Sequence, residues 1–442
     1  MEKRIKFSER KVSDSSWQRL LKRFGSLVFL ACFVGQTLQA QTLEEYLQLA
    51  LENNPELKAY DRDYQASLET VSQSGVLPDP EFSAGVFPAP MDRLMGRQHA
   101  DLQLMQSFPW FGTLGTQKEV ANQQALATFQ EFRGARNQLI YRVKSAWYQL
   151  YRRQEEIRIT EAHAAILNRL ERLALVRYQS QGATVDPAPG SGRSAGMSGV
   201  LRLKMELNEL ETSLANLKST QQGLIEAFNQ LLNRDPGEAV SLPDTLPTTN
   251  LPKELTDNPE ILTGAHPRLK QLEATESALQ YQTELQGLKG KPMMGAGISY
   301  MPFSPRLENG MPMGGRDMVM PMVKISLPIY RKKYQALQQE SKYREEAIRQ
   351  RKENTGNELL AQWSQTRSDW ENAERSVALY QEQIRLANQT LELLTNAYAN
   401  NEGDFEALLE TQRKVLDYRF KLLATIVDLH LLEARFENLA GS

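Results

Sequence analysis

Cysteine is nearly absent from this sequence: Cys32 is the only one in 442 residues, so no disulfide framework can staple the fold. Histidine is scarce too, and His99, His163, His266 and His430 have neither the spacing nor the neighbours of a metal site. No Gly-rich loop followed by lysine is present to cradle a phosphate. Lys and Arg total 52 against 54 Asp and Glu, a net charge of −2, which gives no positive field for nucleic acid. The many acids lie in patterns that read as solvated helix faces. An enzyme is therefore not expected, nor is a cofactor or a metal centre. Long apolar runs are missing as well. The body of the chain has no span of about 20 apolar residues, and its mean hydropathy is −0.50. Membrane β-strands escape that test, because they are short and alternate in polarity.

What is present begins with a basic N-terminus. Lys3, Arg4, Lys6, Arg10, Lys11, Arg19, Lys22 and Arg23 precede the apolar stretch SLVFLACFV, and TLQA follows. This is the layout of a secretory signal peptide, with cleavage expected after Ala40, so that 1–40 is removed and the mature chain has no thiol. The alternative is a lipoprotein cut just before Cys32, with Cys32 lipidated. FLAC fits that signal poorly, since Phe29 stands where Leu is preferred. Both readings take the chain out of the cytoplasm.

The mature region repeats itself. NPELKAYDRDYQASLETVSQSGVLPDPEFSAGV aligns with HPRLKQLEATESALQYQTELQGLKGKPMMGAGI at a constant offset, pairing Pro55 with Pro267, Leu57 with Leu269, Gly75 with Gly287, Pro80 with Pro292 and Gly85 with Gly297. SFPWFG from Ser107 then meets SLPIYR from Ser326, and YQSQG from Tyr178 meets YANNEG from Tyr398. The prolines at 236, 243, 247, 252 and 259 forbid continuous helix and mark a linker, 236–257, between halves 41–235 and 258–442. Each half reads as a helix, two strand-like runs, a very long helix and a return helix. Thr42 with Glu45 three residues on is a capping box opening the first. The long helices are expected at about Thr116–Gln179 and Lys333–Ala399, each roughly 100 Å long at 1.5 Å per residue. Leu139, Val143, Trp147, Leu150, Leu167, Leu170 and Leu173 form a coiled-coil-like stripe along the first.

The strand runs are PEFSAGVF, HADLQLMQSF, PMMGAGISYM and DMVMPMVKISL. In the third, Met294, Ala296, Ile298 and Tyr300 alternate with Gly295, Gly297 and Ser299; in the first, Phe82, Ala84 and Val86 alternate with Ser83 and Gly85. Such alternation suits a sheet with lipid on one side and water on the other. Two hairpins packed on a soluble domain would alternate in the same way. Four strands cannot close a membrane barrel, so a spanning structure would need several chains.

The tandem order of elements, NPEL near the start, and Tyr-x3-Gly or Tyr-x4-Gly ending each long helix resemble the TolC-type outer-membrane efflux channel family, over about 41–442. The resemblance implies an α+β membrane protein: a homotrimer whose long helices form an α-barrel and whose four strands per chain form a 12-stranded β-barrel. It implies the outer membrane of a Gram-negative bacterium, reaching into the periplasm. The function implied is an exit duct of a tripartite system, conducting passively from a periplasmic adaptor (membrane fusion protein) and an inner-membrane transporter of the RND type. The rival is an exported coiled-coil scaffold with soluble hairpins. Carried over by position, Tyr178, Gly182, Tyr398 and Gly403 fall at the periplasmic tip, where the adaptor would dock. Glu402 and Asp404 become gate candidates, although Asp404 also suits a plain N-cap. Trp110, Phe111 and Tyr330 would sit in a membrane-interface girdle, or else pack in ordinary turns.

Two features depart from a plain repeat. The first half inserts residues 184–199, rich in Gly, Pro and Ser, where the second turns directly. This insert is expected to be a loop at the tip, and it leaves the role of Asp186 open. Eight of the 14 methionines lie at 293, 294, 301, 311, 313, 318, 320 and 322. Thioethers are soft ligands for Cu(I) or Ag(I), but the expectation is that these side chains fill lipid-facing and loop positions.

Overall fold

The computed structural model describes residues 42–181, 193–247, 249, 259, 264–400 and 404–441. The basic leader and Cys32 lie outside the described residues. Helix α1 (Leu43–Asn53) starts at Thr42, whose Oγ1 accepts from the Glu45 amide at 3.4 Å. One helix was expected here and there are two. Asn54 closes α1 and caps α2 (Pro55–Gln73), its Oδ1 accepting from the Leu57 amide while Pro55 takes the first helical position, where no amide hydrogen is needed. The Asn54 Nδ2 donates to the Leu231 carbonyl and ties this break to the far end of the first half.

Strands β1 (Glu81–Arg93) and β2 (Gly96–Phe108) form a hairpin, and helix α3 runs 69 residues, Thr113–Gln181. Helix α4 (Arg193–Leu231) returns. The second half follows with α5 (Pro267–Lys289), β3 (Met293–Met301), three short strands β4 (Phe303–Ser304), β5 (Arg306–Glu308) and β6 (Met311–Met313), then β7 (Met318–Ser326). Helix α6, Arg331–Ala399, is again 69 residues, and α7 (Phe405–Ala440) is the last helix among the described residues. At 1.5 Å per residue each long helix spans about 100 Å. His266 caps α5 as Asn54 caps α2, its Nδ1 accepting from the Arg268 amide. The fold is α+β and mostly helical.

The long helices survive by packing on the shorter ones: α3 lies against α4 and α5, α6 against α5 and α7, and α7 also touches α3. The stripe is buried at Leu139, Val143, Trp147, Leu150, Leu167 and Leu170. Leu173, expected on it, is exposed, because 173 has drifted round the helix from the packed face. Three apolar clusters follow. One joins Tyr46, Val143, Leu150, Phe228 and Val427; a second joins Trp363, Trp370 and Phe436; a third lies at the tip. The linker is pinned to the first: the Ser241 amide donates to Tyr46 Oη, Asn229 Nδ2 donates to the Pro236 and Glu238 carbonyls, and Val240, Leu242 and Leu246 pack inward.

The main sheet is antiparallel, in the order β1-β2-β3-β7, with β4 pairing the far end of β2. Neither the outer edge of β1 nor that of β7 has a partner strand among the described residues.

Candidate conduit surfaces

Sheet register sorts the side chains into two faces. Phe82 pairs with Leu104, Leu104 with Ile298, and Ala84 with Leu102, Leu102 with Tyr300. Ile298 faces Pro321, Ala296 faces Val323, and Met294 faces Ile325. These paired residues share one face, and Phe82, Val86, Ile298, Val319, Val323 and Ile325 are exposed there, Val323 at 79%. An apolar face this open in a single chain requires a partner or a lipid phase. On the other face Ser83 meets Gln103, Gln103 meets Ser299, and Ser299 Oγ donates to Asp101 Oδ1 at 2.8 Å. The expected alternation is present.

This register corrects the reading of the methionines. Met293, Met301, Met318, Met320 and Met322 lie on the polar face, together with Met105, and only Met294 of the strand methionines in the cluster is on the apolar face. Met311 and Met313 lie in the β5–β6 hairpin, as expected of loop positions. A strand places alternate residues on opposite faces, so the M-x-M-x-M spacing of 318, 320 and 322 fixes a common side.

The aromatic positions sit where strands become helices. Trp110 and Phe111 fall between β2 and α3, and Tyr330 falls between β7 and α6. Phe111 and Tyr330 are each 76% exposed, and Trp110 packs edge-on to Phe111 with centroids 6.1 Å apart. Ile329 and Leu327 are exposed beside Tyr330.

At the opposite end, helices α3 and α4 form one hairpin and α6 and α7 another. Tyr178 is half-buried near the end of α3. Tyr398 is buried with Leu167, Leu170, Leu203, Leu207, Leu408 and Leu409, its ring 5.2 Å from that of Phe405. Asp404 caps α7, its Oδ1 accepting from the Glu406 amide at 2.9 Å, so the capping role is present. Gly182, Glu402 and Gly403 lie outside the described residues, as does Asp186. The structure thus places Tyr178, Tyr398 and Asp404 at one end. The insert was expected as a loop through 199, but helix α4 already begins at Arg193. The reason is a packed helix face: Val200 and Leu203 are buried, and Gly199 lies against Phe405.

That end also holds pairs invisible in the sequence. Glu206 of α4, 7% exposed, accepts from Arg413 of α7 at 2.6 and 2.8 Å, and the hydrogen bond raises the guanidinium above its ordinary value. Arg202 pairs with Glu406 across the same two helices. His163 of α3 is 4% exposed, and burial lowers its pKa below 6.5. No local motif reports partners some 200 residues apart. A serine-hydrolase spacing, GRSAG at 192–196, went unnoticed in the sequence. Ser194 lies in the first turn of α4, and among the described residues the preceding element is helix α3 and not the strand that would precede such a nucleophile.

Comparison with solved structures decides the architecture. CusC, described as forming a transmembrane channel, superposes with a TM-score of 0.75 at 14% identity, over 91% of this chain and 93% of its own. The outer membrane protein VceC of Vibrio cholerae gives 0.72 at 16%, over 90% and 96%. This chain has the TolC-type channel fold. The outer membrane channel CmeC of Campylobacter jejuni has it too, at 0.67 and 12% identity, over 99% and 94%. No family profile matches the sequence, and no curated protein matches it. In this chain the hairpin strands stand where α3 and α6 begin, and the cluster around Tyr398 lies at the other end of those helices. No helix among the described residues is long and apolar enough to cross a membrane, a finding that bears only on helices.

Proposed function

We propose that this chain is a non-enzymatic, passive exit duct in the outer membrane of a Gram-negative bacterium. The observation that carries the reading is the sheet: four strands with one exposed apolar face, one polar face and edges at β1 and β7 that have no partner strand among the described residues. Edges unpaired in lipid are untenable, because each bare amide or carbonyl there costs several kcal/mol. Three copies joining β7 to β1 close a 12-stranded barrel with no edge, apolar outside and polar within. The helices of about 100 Å continue it as an α-barrel into the periplasm. The channel fold supports this arrangement, and the matched 69-residue helices support descent of 41–235 and 258–442 from one duplicated unit joined by 236–257.

In this reading Trp110, Phe111 and Tyr330 mark the periplasmic lipid interface. Tyr178, Gly182, Tyr398 and Gly403 mark the far mouth, where a periplasmic adaptor docks and an inner-membrane RND-type transporter supplies substrate. Glu402 and Asp404 repeat three times around that mouth as an acidic ring. The test is reconstitution: purified protein should give heat-resistant trimers in mild detergent and discrete conductance steps in planar bilayers. A soluble periplasmic monomer without conductance would return the chain to the scaffold reading.

A further inference from the structure

We propose that the polar face of the sheet carries a thioether track that binds soft monovalent cations, Cu(I) or Ag(I). The six methionines 105, 293, 301, 318, 320 and 322 share that face. At the paired positions of β2, β3 and β7 no Leu, Ile, Val or aromatic residue stands beside them. Those residues are all on the opposite face, at 102, 104, 108, 298, 300, 319, 323 and 325. Methionine used merely as an adaptable apolar filler would not sort so sharply from its aliphatic equivalents.

The register also brings the sulfurs toward one another. Met301 is directly opposite Met318 on the neighbouring strand. Met105 and Met322 flank the same residue, Gly297, from the two strands on either side of β3. A methyl group at Gly297 would lie 3.0 Å from Met105 Sδ, so the missing side chain is the space the thioether occupies. Met320 stands between Met318 and Met322 on the same side of β7, opposite Ser299. Along β7 the thioethers of Met318, Met320 and Met322 recur every second residue, so a soft cation leaving the Met301–Met318 pair meets Met320 before it reaches Met322 and Met105.

Neutral thioethers favour soft monovalent ions over Zn²⁺, Mg²⁺ or Ca²⁺, which prefer imidazole, thiolate or oxygen. They need no deprotonation, so binding would be insensitive to pH. Lys324 lies on the same face and opposes cation retention, while Asp101 and Glu81 favour cation approach. Weak, repeated sites suit a passage, where an ion must bind well enough to enter and loosely enough to leave. The inference rests on the duct reading only in placing this face toward the lumen.

The test is Ag(I) binding to the purified trimer, measured by equilibrium dialysis, with K⁺ conductance recorded in parallel with and without silver nitrate. Wild type should bind Ag(I) at several equivalents per chain, and the ion should reduce K⁺ conductance. Replacing Met105, Met318, Met320 and Met322 by Leu, nearly isosteric, should weaken binding by roughly tenfold or more and abolish the silver effect, with K⁺ conductance kept. Met311→Leu with Met313→Leu should leave both unchanged. If the fourfold variant does not assemble, Met320→Leu with Met322→Leu should still lower the number of ions bound. Equal silver binding by wild type and the sheet variants overturns the track and leaves the duct standing; assembled trimer without conductance overturns the duct instead.

Discussion

Glu206 and Arg413 meet across the two return helices at 2.5 Å, and their exposures differ sharply: the Glu206 side chain is 9% exposed and that of Arg413 is 60%. The guanidinium reaches in from water to cover a carboxylate that cannot leave. Arg413→Ala would strand the buried charge. The expected loss is about 1–2 kcal/mol, less than for a fully buried pair because the arginine end is solvated. Glu206→Gln, which keeps a hydrogen-bond acceptor without the charge, should lose less. Thermal unfolding of the two variants checks the order.

His163 of α3 lies near Glu206 of α4 and Arg419 of α7, and burial is the largest effect, lowering its pKa from 6.5. Its Nε2 has no hydrogen-bond partner among the described residues. Below 6.5 the unfolded chain binds a proton that the folded chain resists, so stability should fall as pH drops from 6.5 through the lower folded value. Above 6.5 the contribution is constant. His163→Phe should flatten that segment of the pH–stability curve, and an unchanged slope would show that another group titrates there.

Gly199 and Phe405 are in close approach: a methyl group on Gly199 would lie 2.8 Å from the Phe405 ring. Helix propensity predicts that replacing Gly199 should stabilise α4 by up to about 1 kcal/mol. Crowding should dominate, and Gly199→Val is expected to cost about 1–3 kcal/mol. Phe405→Leu should relieve part of that loss, giving a coupling of at least about 0.5 kcal/mol in a double-mutant cycle. Strict additivity would mean that the helices simply move apart.

The two sheet faces should differ in their tolerance of charge. Val323→Arg places a cation on the apolar face and should cost about 2–4 kcal/mol if that position lies near the bilayer midplane. Ser83→Arg, on the polar face, should cost little. The readout is the yield of heat-resistant trimer after refolding into lipid vesicles. Equal yields would reject the assignment of lipid and water sides.

Acid should loosen the α5–α6 contact. Glu276 of α5 accepts from Lys352 of α6 at 2.6 Å and pairs with Arg349, and the Lys352 hydrogen bond is the main cause that lowers its pKa below 4.5. A lowered acid contributes stability above its ordinary value and loses it as pH falls through the folded one. Glu276→Gln should therefore weaken the protein at pH 7, and its difference from wild type should narrow as pH falls below 4.5. Hydrogen exchange in α5 reads this locally.

Much of the architecture was legible because local rules dictate it. Pro55 and Pro267 start helices where Asn54 and His266 cap them, and Pro109 and Pro328 fall just after strand ends. The alternation of Phe82, Ala84 and Val86 with Ser83 and Gly85 set the sheet faces, since successive strand residues must point to opposite sides. The break between α1 and α2 differs from the single helix expected from Thr42, because Asn54 both ends one helix and caps the next. The methionine placement was missed for a different reason: periodicity says which residues share a side, but pairing with β2 and β3 says which side it is.

The sequence by itself determined the order of the long elements, the length of the two great helices and the two-sidedness of the main strands, because each follows from contacts within a few residues. Tertiary structure decided what lies across from what. Glu206 found Arg413, Gly199 admitted Phe405, and Met105 settled over Gly297 through contacts between segments about 200 residues apart. No local pattern encodes such pairings, since they depend on the angle and register at which separately specified helices and strands come together.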